Sequence, residues 1–180
     1  MTIDPTVADL LAKARTAQAL YEKFNQSEVD DVVAAIAWVV LEPVRNQHLS
    51  ERAVEDTGLG DIDDKFTKNY RKTLGLLRDL TGAPSVGVIA TDSERGLVEI
   101  ARPIGVVGAI TPSTNPVATP TNKVMNALKG GNAIILAPSP RGEAVCGELV
   151  DLFREALEKM GAPVDLIQKS HGDPSMGVVG

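Results

Sequence analysis

The stretch "TPSTNPVATPTNK" (111–123) sets one carboxamide, Asn115, in a proline-braced loop directly after the apolar run "IGVVGAI" (104–110). A side-chain amide N–H fixed in such a loop can donate to an oxygen that gains negative charge in a tetrahedral intermediate. One donor of this kind lowers a barrier by roughly 3 kcal/mol. The competing reading is local: Asn before Pro is common in turns and at helix starts, where its side chain satisfies nearby backbone N–H groups. On residue types alone the cap is the simpler reading.

Other reactive side chains are few. Cys146 is the one cysteine, so neither an internal disulfide framework nor a cysteine zinc site can form. Val145, Leu149 and Phe153 surround it at helical spacing, and nothing nearby in sequence lowers its pKa, so it reads as a core residue. Arg141 can meet a phosphate or sit solvated in a first helical turn. Lys123, one turn into the helix after Asn115, is a solvated side chain or one that reaches an anionic group. His171 and His48 read as surface residues.

These groups need a scaffold. Through residue 82 the period is helical. Val7, Leu10, Leu11, Ala14, Ala17, Tyr21 and Phe24 form a first stripe. Ser27 is the expected cap of a second helix, with Asp30 as its capping-box partner and Val29, Val32, Val33, Ile36, Ala37 and Val40 as its buried face. Pro43 makes a boundary, a polar helix follows to about Asp56, and Gly58 and Gly60 are stops. Ile62, Phe66, Tyr70, Leu74 and Leu77 make a further apolar stripe.

The period then shortens. "SVGVIA" and "GLVEIA", joined by "TDSER", read as a hairpin. "IGVVGAI" is apolar on both faces, as a covered parallel strand is. A helix over 119–129 ends at Gly130-Gly131, "NAIILA" (132–137) is a second strand, Ser139 caps a helix with Pro140 at its first position, and "VDLIQ" (164–168) is a third strand. The fold class is therefore α/β: N-terminal helices (1–82), a β-hairpin that can serve oligomerisation (83–102), and half of a doubly wound, Rossmann-like parallel sheet (103–180). A half-sheet with an open edge is an odd place for a domain to stop, which points to a fragment or to a missing partner chain.

Ligands of such sheets bind beyond the carboxyl ends of the strands. The loops 111–116, 137–141 and 169–174 hold that position, and each leads to a helix start whose free N–H groups can face an anion. The glycine fingerprint of dinucleotide sites is absent, since Gly105 and Gly108 lie inside the strand, and "GDPSMG" lacks the Lys-Ser/Thr pair of a phosphate loop. The formal net charge of −6 argues against nucleic acid as a partner. No basic and apolar leader and no run of about 20 apolar residues is visible, so a membrane is not expected and a cytoplasmic protein is.

The residues "RPIGVVGAITPSTNPVATPTNKVMNALKGGNAIILAPSPRG", with "AVEDTGLGDIDDKFTKN" (53–69) and "HGDPSMG" (171–177) in that order, resemble the aldehyde dehydrogenase superfamily. The likeness is greatest to its CoA-acylating members and covers most of residues 28–180. The resemblance implies NAD or NADP as cofactor, coenzyme A as co-substrate, a small aldehyde as substrate and a homo-oligomeric enzyme. It puts Asn115 in the oxyanion hole. It assigns cofactor contacts to Ile110, Thr111, Pro112 and Ser113, to Ala137, Pro138, Ser139 and Arg141, and to Gly172, Pro174 and Gly177.

Two departures sharpen it. Hydrolytic members carry Trp-Asn directly after the proline, whereas Ser113 and Thr114 intervene here, as in the acylating group. Ala137 stands where hydrolytic members hold a cofactor-binding lysine, leaving Ser139, Arg141 or backbone groups to replace it. The family's cysteine nucleophile belongs to a catalytic domain absent from these residues, so the chain by itself is expected to be inactive. The rival readings are an acyl-phosphate reductase of the same fold and a truncated paralogue that acts as a binding or assembly module.

Overall fold

Four helices come first, and each begins on a side chain that takes up the free N–H groups of its first turn. Asp4 accepts from Thr6 and Val7 ahead of α1 (Pro5–Tyr21), and Glu42 accepts from Val44 and Arg45 ahead of α3 (Pro43–Thr57). Asp61 accepts from Asp63 and Asp64 ahead of α4 (Ile62–Leu80). Helix α2 (Gln26–Leu41) starts two residues earlier than expected: Asn25, not Ser27, is its cap, in a reciprocal box with Glu28. Asp30, the expected box partner, instead accepts from Gln26 and pairs with Lys129. The computed structural model describes residues 4–170.

A two-stranded antiparallel sheet follows, β1 (Gly87–Asp92) with β2 (Leu97–Ala101), irregular at Val88/Ala90. Asp92 closes its turn by accepting from the Glu94 and Arg95 N–H groups. The second sheet is wholly parallel in the order β3-β4-β5, from β3 (Val106–Thr111), β4 (Ala133–Pro138) and β5 (Ile167–Lys169). Helices α5 (Ala118–Lys129) and α6 (Glu143–Lys159) make the two crossovers. Residues 164–166 form a 3-10 turn, so the third strand is shorter than "VDLIQ".

One apolar cluster joins both halves. Val29, Val32, Val33 and Ile36 of α2 share it with Met125 and Leu128 of α5, Ile134 and Leu136 of β4, and Leu149 and Phe153 of α6. Asn132 locks the entry to the parallel sheet. Its Oδ1 accepts from the Ile104 and Gly105 N–H groups at 2.7 and 2.9 Å, and its Nδ2 donates to the Gly130 carbonyl at 3.1 Å.

Two expectations about burial fail. Strand β3 is open on one side, with Ile110 65% exposed, because no described helix covers that face. On α4 the buried positions are Lys65, Asn69 and Thr73, while Tyr70 and Leu74 face outward. The reason is a polar seam against α3. Asn69 Nδ2 donates to Asn46 Oδ1 (3.1 Å) and Ser50 Oγ (3.2 Å), and Asn46 Nδ2 donates to the Phe66 carbonyl (3.0 Å). Buried amides that satisfy one another can line a helix interface, and an apolar period does not report them.

Cys146 is fully buried in α6, as expected, and burial pushes its thiol up to about 11 against a smaller opposing pull from Lys169. Ser139 does not cap this helix with its side chain. The first turn of α6 is capped from a distance: Asp56 Oδ2, on α3, accepts from the Val145 N–H at 2.7 Å. His48, exposed as expected, pairs with Glu148 in the same α3–α6 seam.

Two outcomes follow from these contacts. Asp56→Ala should lower unfolding stability by about 1 kcal/mol, read from denaturant titrations, with Asp56→Asn retaining most of it. Equal losses in both variants would assign the effect to the Asp56–Arg52 charge pair instead. At pH 8, iodoacetamide should modify native Cys146 about a hundredfold more slowly than the unfolded chain. Because folding raises this pKa from 9.0, its contribution to stability is whole below pH 9 and is lost as the pH climbs toward 11. Native alkylation as fast as in denaturant would overturn both statements.

Candidate active site

The carboxyl ends of β3 and β4 lie level, with Thr111 opposite Pro138, and the two loops that leave them are stitched together. The Ser139 N–H donates to the Thr111 carbonyl at 3.0 Å. Further out, Gly142 lets the loops touch: a Cβ there would stand 2.9 Å from Pro116 Cβ. Its φ of −114° is ordinary, so the glycine serves a close approach rather than a special backbone shape.

A third element holds the same loop from below. Lys65, on α4 and 3% exposed, donates from Nζ to the Thr114 carbonyl at 2.9 Å. It makes no ion pair among the described residues. Burial lowers its pKa, and the charge on Lys68 lowers it further. Nothing in the sequence marked Lys65. Its only signature is its phase with Asn69 and Thr73, one and two turns on, which a search for apolar stripes passes over.

Asn115 therefore sits between fixed neighbours, and it does not cap α5. The N-cap position is Val117, with no side-chain cap bond. Asn115 gives only its backbone carbonyl to the helix, accepting from the Thr119 N–H at 3.3 Å. Its Oδ1 is buried with no hydrogen-bond partner among the described residues. The simpler reading from residue types thus fails, and the carboxamide is left uncommitted. It lines an open cleft of about 310 Å³ between α4 and α5, with Lys68, Lys72, Thr119, Asn122 and Lys123.

On the other side of the loop are the positions expected to meet a cofactor. Ile110 presents an exposed apolar side chain at the end of β3. Pro112 is exposed, Ser113 and Ala137 are half-buried, and Pro138 is buried. Ser139 Oγ is a second orphan, buried without a described partner. Arg141 is exposed beside it. An apolar platform, an unsatisfied hydroxyl and a free guanidinium at the end of a parallel sheet fit a dinucleotide. Thr111 is less available, being 2% exposed with its carbonyl already engaged. The start of α6 is not a free anion site either, since Asp56 occupies the Val145 N–H. Gly172, Pro174, Gly177 and His171 lie outside the described residues. A separate groove, lined by Tyr21, Gln26, Arg102 and Gly131, opens near the amino ends of the strands, away from these groups.

Known proteins share this sequence pattern and fold. The sequence profile of the aldehyde dehydrogenase family matches residues 4–177. The chain is 57% identical to the acylating sulfoacetaldehyde dehydrogenase of Cupriavidus necator over 162 residues, 90% of this chain and 33% of that protein. It superposes on an acetylating aldehyde dehydrogenase from Geobacillus thermoglucosidasius with a TM-score of 0.86 and 37% identity, over 91% of this chain and 36% of that one. It also superposes on propionaldehyde dehydrogenase from Rhodopseudomonas palustris with bound propionyl-CoA, at a TM-score of 0.79 and 30% identity, over 93% and 36%. The chain thus spans about a third of the length of the relatives it matches. Nearly every described element falls within these matches, and the chain belongs to the aldehyde dehydrogenase family.

Proposed function

We propose that this chain forms the cofactor-sheet and oxyanion portion of an NAD(P)-dependent, CoA-acylating aldehyde dehydrogenase. The observation that carries the proposal is the uncommitted carboxamide of Asn115, held at the carboxyl end of β3 by Lys65 and by the Pro116–Gly142 contact. The relatives' names, with sulfoacetaldehyde as substrate in one and propionyl-CoA bound in another, support an aldehyde and an acyl-CoA as reactants.

The attacking group in this reading is a cysteine thiolate outside these 180 residues. Cys146 is unsuited to the task, because burial keeps its thiol protonated and shuts it from the cleft. When the thiolate adds to the aldehyde, the carbonyl oxygen becomes an alkoxide and Asn115 donates its N–H to it. An amide keeps its donor at every pH the enzyme meets, and a loop fixed in advance needs no reorganisation as charge forms. Ile110, Pro112, Ser113, Ala137, Ser139 and Arg141 would hold the dinucleotide beside this loop. When bound, NAD(P) accepts hydride from the former aldehyde carbon, and coenzyme A takes up the acyl group.

The β1–β2 hairpin suits an assembly role in the same enzyme. Val88, Leu97, Val98 and Ile100 are each more than half exposed, and a two-stranded ribbon has edges open to pairing. We assign it to contacts between subunits of a homo-oligomer. Among the described residues, no helix is long and apolar enough to cross a membrane.

In the full-length enzyme, Asn115→Ala should lower kcat for acyl-CoA formation by about 10²–10³ while moving KM little, as loss of a donor used mainly in the transition state does. Steady-state NAD(P)H production with propionaldehyde and coenzyme A measures it. A variant that keeps its kcat would remove Asn115 from the chemistry.

A further inference from the structure

We infer that the cleft between α4 and α5 is an anion pocket that selects aldehydes carrying a sulfonate or carboxylate at the end remote from the carbonyl. The inference rests on the reading of Asn115 given above, and it names what the neighbouring side chains recognise. Lys68 and Lys72 come from α4, Lys123 from α5, and Asn115, Asn122 and Asn126 complete the polar wall. Lys65 lies buried one turn below Lys68 and Asn69, with its charge unpaired among the described residues.

The distribution of lysines argues against a merely solvated face. Lys13, Lys129, Lys159 and Lys169 each meet a carboxylate elsewhere in the molecule. Of the five lysines with no carboxylate partner among the described residues, three line this cleft, Lys68, Lys72 and Lys123, and a fourth, Lys65, lies beneath it on the Thr114 carbonyl. Among the described residues, no Asp or Glu lines the cleft. Helix α5 contains no acidic residue, and the acids of α4 stand at its two ends, at Asp63, Asp64 and Asp79. A chain of net charge −6 thus concentrates unpaired positive charge at the one cleft that also presents Asn115.

That coincidence points to the ligand class. An anion near Lys72 and Lys123 and a carbonyl at Asn115 can belong to one short molecule, since all three residues line a single cleft of about 310 Å³. Cationic walls in a low-dielectric cleft also raise the local concentration of an anionic substrate, an effect that salt weakens.

The test uses the full-length enzyme with Lys72→Met, Lys123→Met and the double variant, all at positions where the fold is exposed. The readout is the ratio of kcat/KM for sulfoacetaldehyde to that for propionaldehyde, a neutral aldehyde. The ratio should fall about fivefold for each variant and more than about twentyfold for the pair. The wild-type ratio should also fall as salt rises from low to high ionic strength. An unchanged ratio overturns the inference. So does a rise in the KM for coenzyme A in its place, which would give the lysines to coenzyme A phosphates. If the wild type forms acyl-CoA from neither aldehyde, the functional reading fails by itself, and calorimetric binding of 2-hydroxyethanesulfonate decides the pocket. Binding lost in the double variant supports it, and no binding to the wild type overturns it.

Discussion

The contact between the Lys65 ammonium and the Thr114 carbonyl is the tie on which the arrangement of the site depends. It is the described hydrogen bond that runs from the N-terminal helices into the loop bearing Asn115. Burying an ammonium without a carboxylate is costly, so the carbonyl must be in place to offset it. That requirement couples two layers. If the loop moves, the lysine loses its partner; if α4 moves, the loop loses its floor. The Pro116–Gly142 contact closes the opposite side, where even one added methyl would force the loops apart. Asn115 is positioned by a cation beneath and a steric wall beside it, and it needs no bond of its own.

The same coupling explains why the helices cannot be treated as an accessory to the sheet. Helix α2 buries its valines against α5 and α6, and α3 both caps α6 through Asp56 and lines up α4 through the Asn46–Ser50–Asn69 network. Strand β3 is placed at its start by Asn132 and at its end by Ser139. Among the described strands β3 has only β4 as a neighbour to set its register, so these two clamps carry more of the positioning than they would inside a larger sheet.

Much of this was legible in the sequence, and the losses share a cause. The helices, the hairpin and the parallel βαβαβ unit could be read because their apolar periods and their Gly and Pro punctuation are local signals. Of the expected site loops, 111–116 and 137–141 meet at one end of the sheet, where Ile110 is exposed and Asn115 lines an open cleft. Most of what failed depended on partners distant in sequence. Asp56 caps a helix 89 residues away, and Lys65 serves a carbonyl 49 residues away. The buried face of α4 was misassigned because its amides are satisfied by α3, which no stripe of Ile, Phe, Tyr and Leu reveals. Ser27 and Ser139 were chosen as caps by residue type, and in both cases a neighbouring or remote group had the better geometry.

The chemistry of the cleft divides along the same physical line. Cations beside the reacting oxygen would stabilise the alkoxide, but they would also bind any anion in the ground state and so spend their attraction before the barrier. A neutral carboxamide interacts modestly with a carbonyl and strongly with an alkoxide, so its effect grows as charge develops. Placing Asn115 on the β3 loop, and the free lysines on the helices that face it, separates the two tasks in space. In the proposed reading, the helices supply a field that recognises charge already present on a ligand, and the loop supplies a donor for charge that exists only during reaction. Lys65 belongs to neither group, although it is the most deeply buried cation of the four: its proton is committed to Thr114, and its role is to keep the donor still.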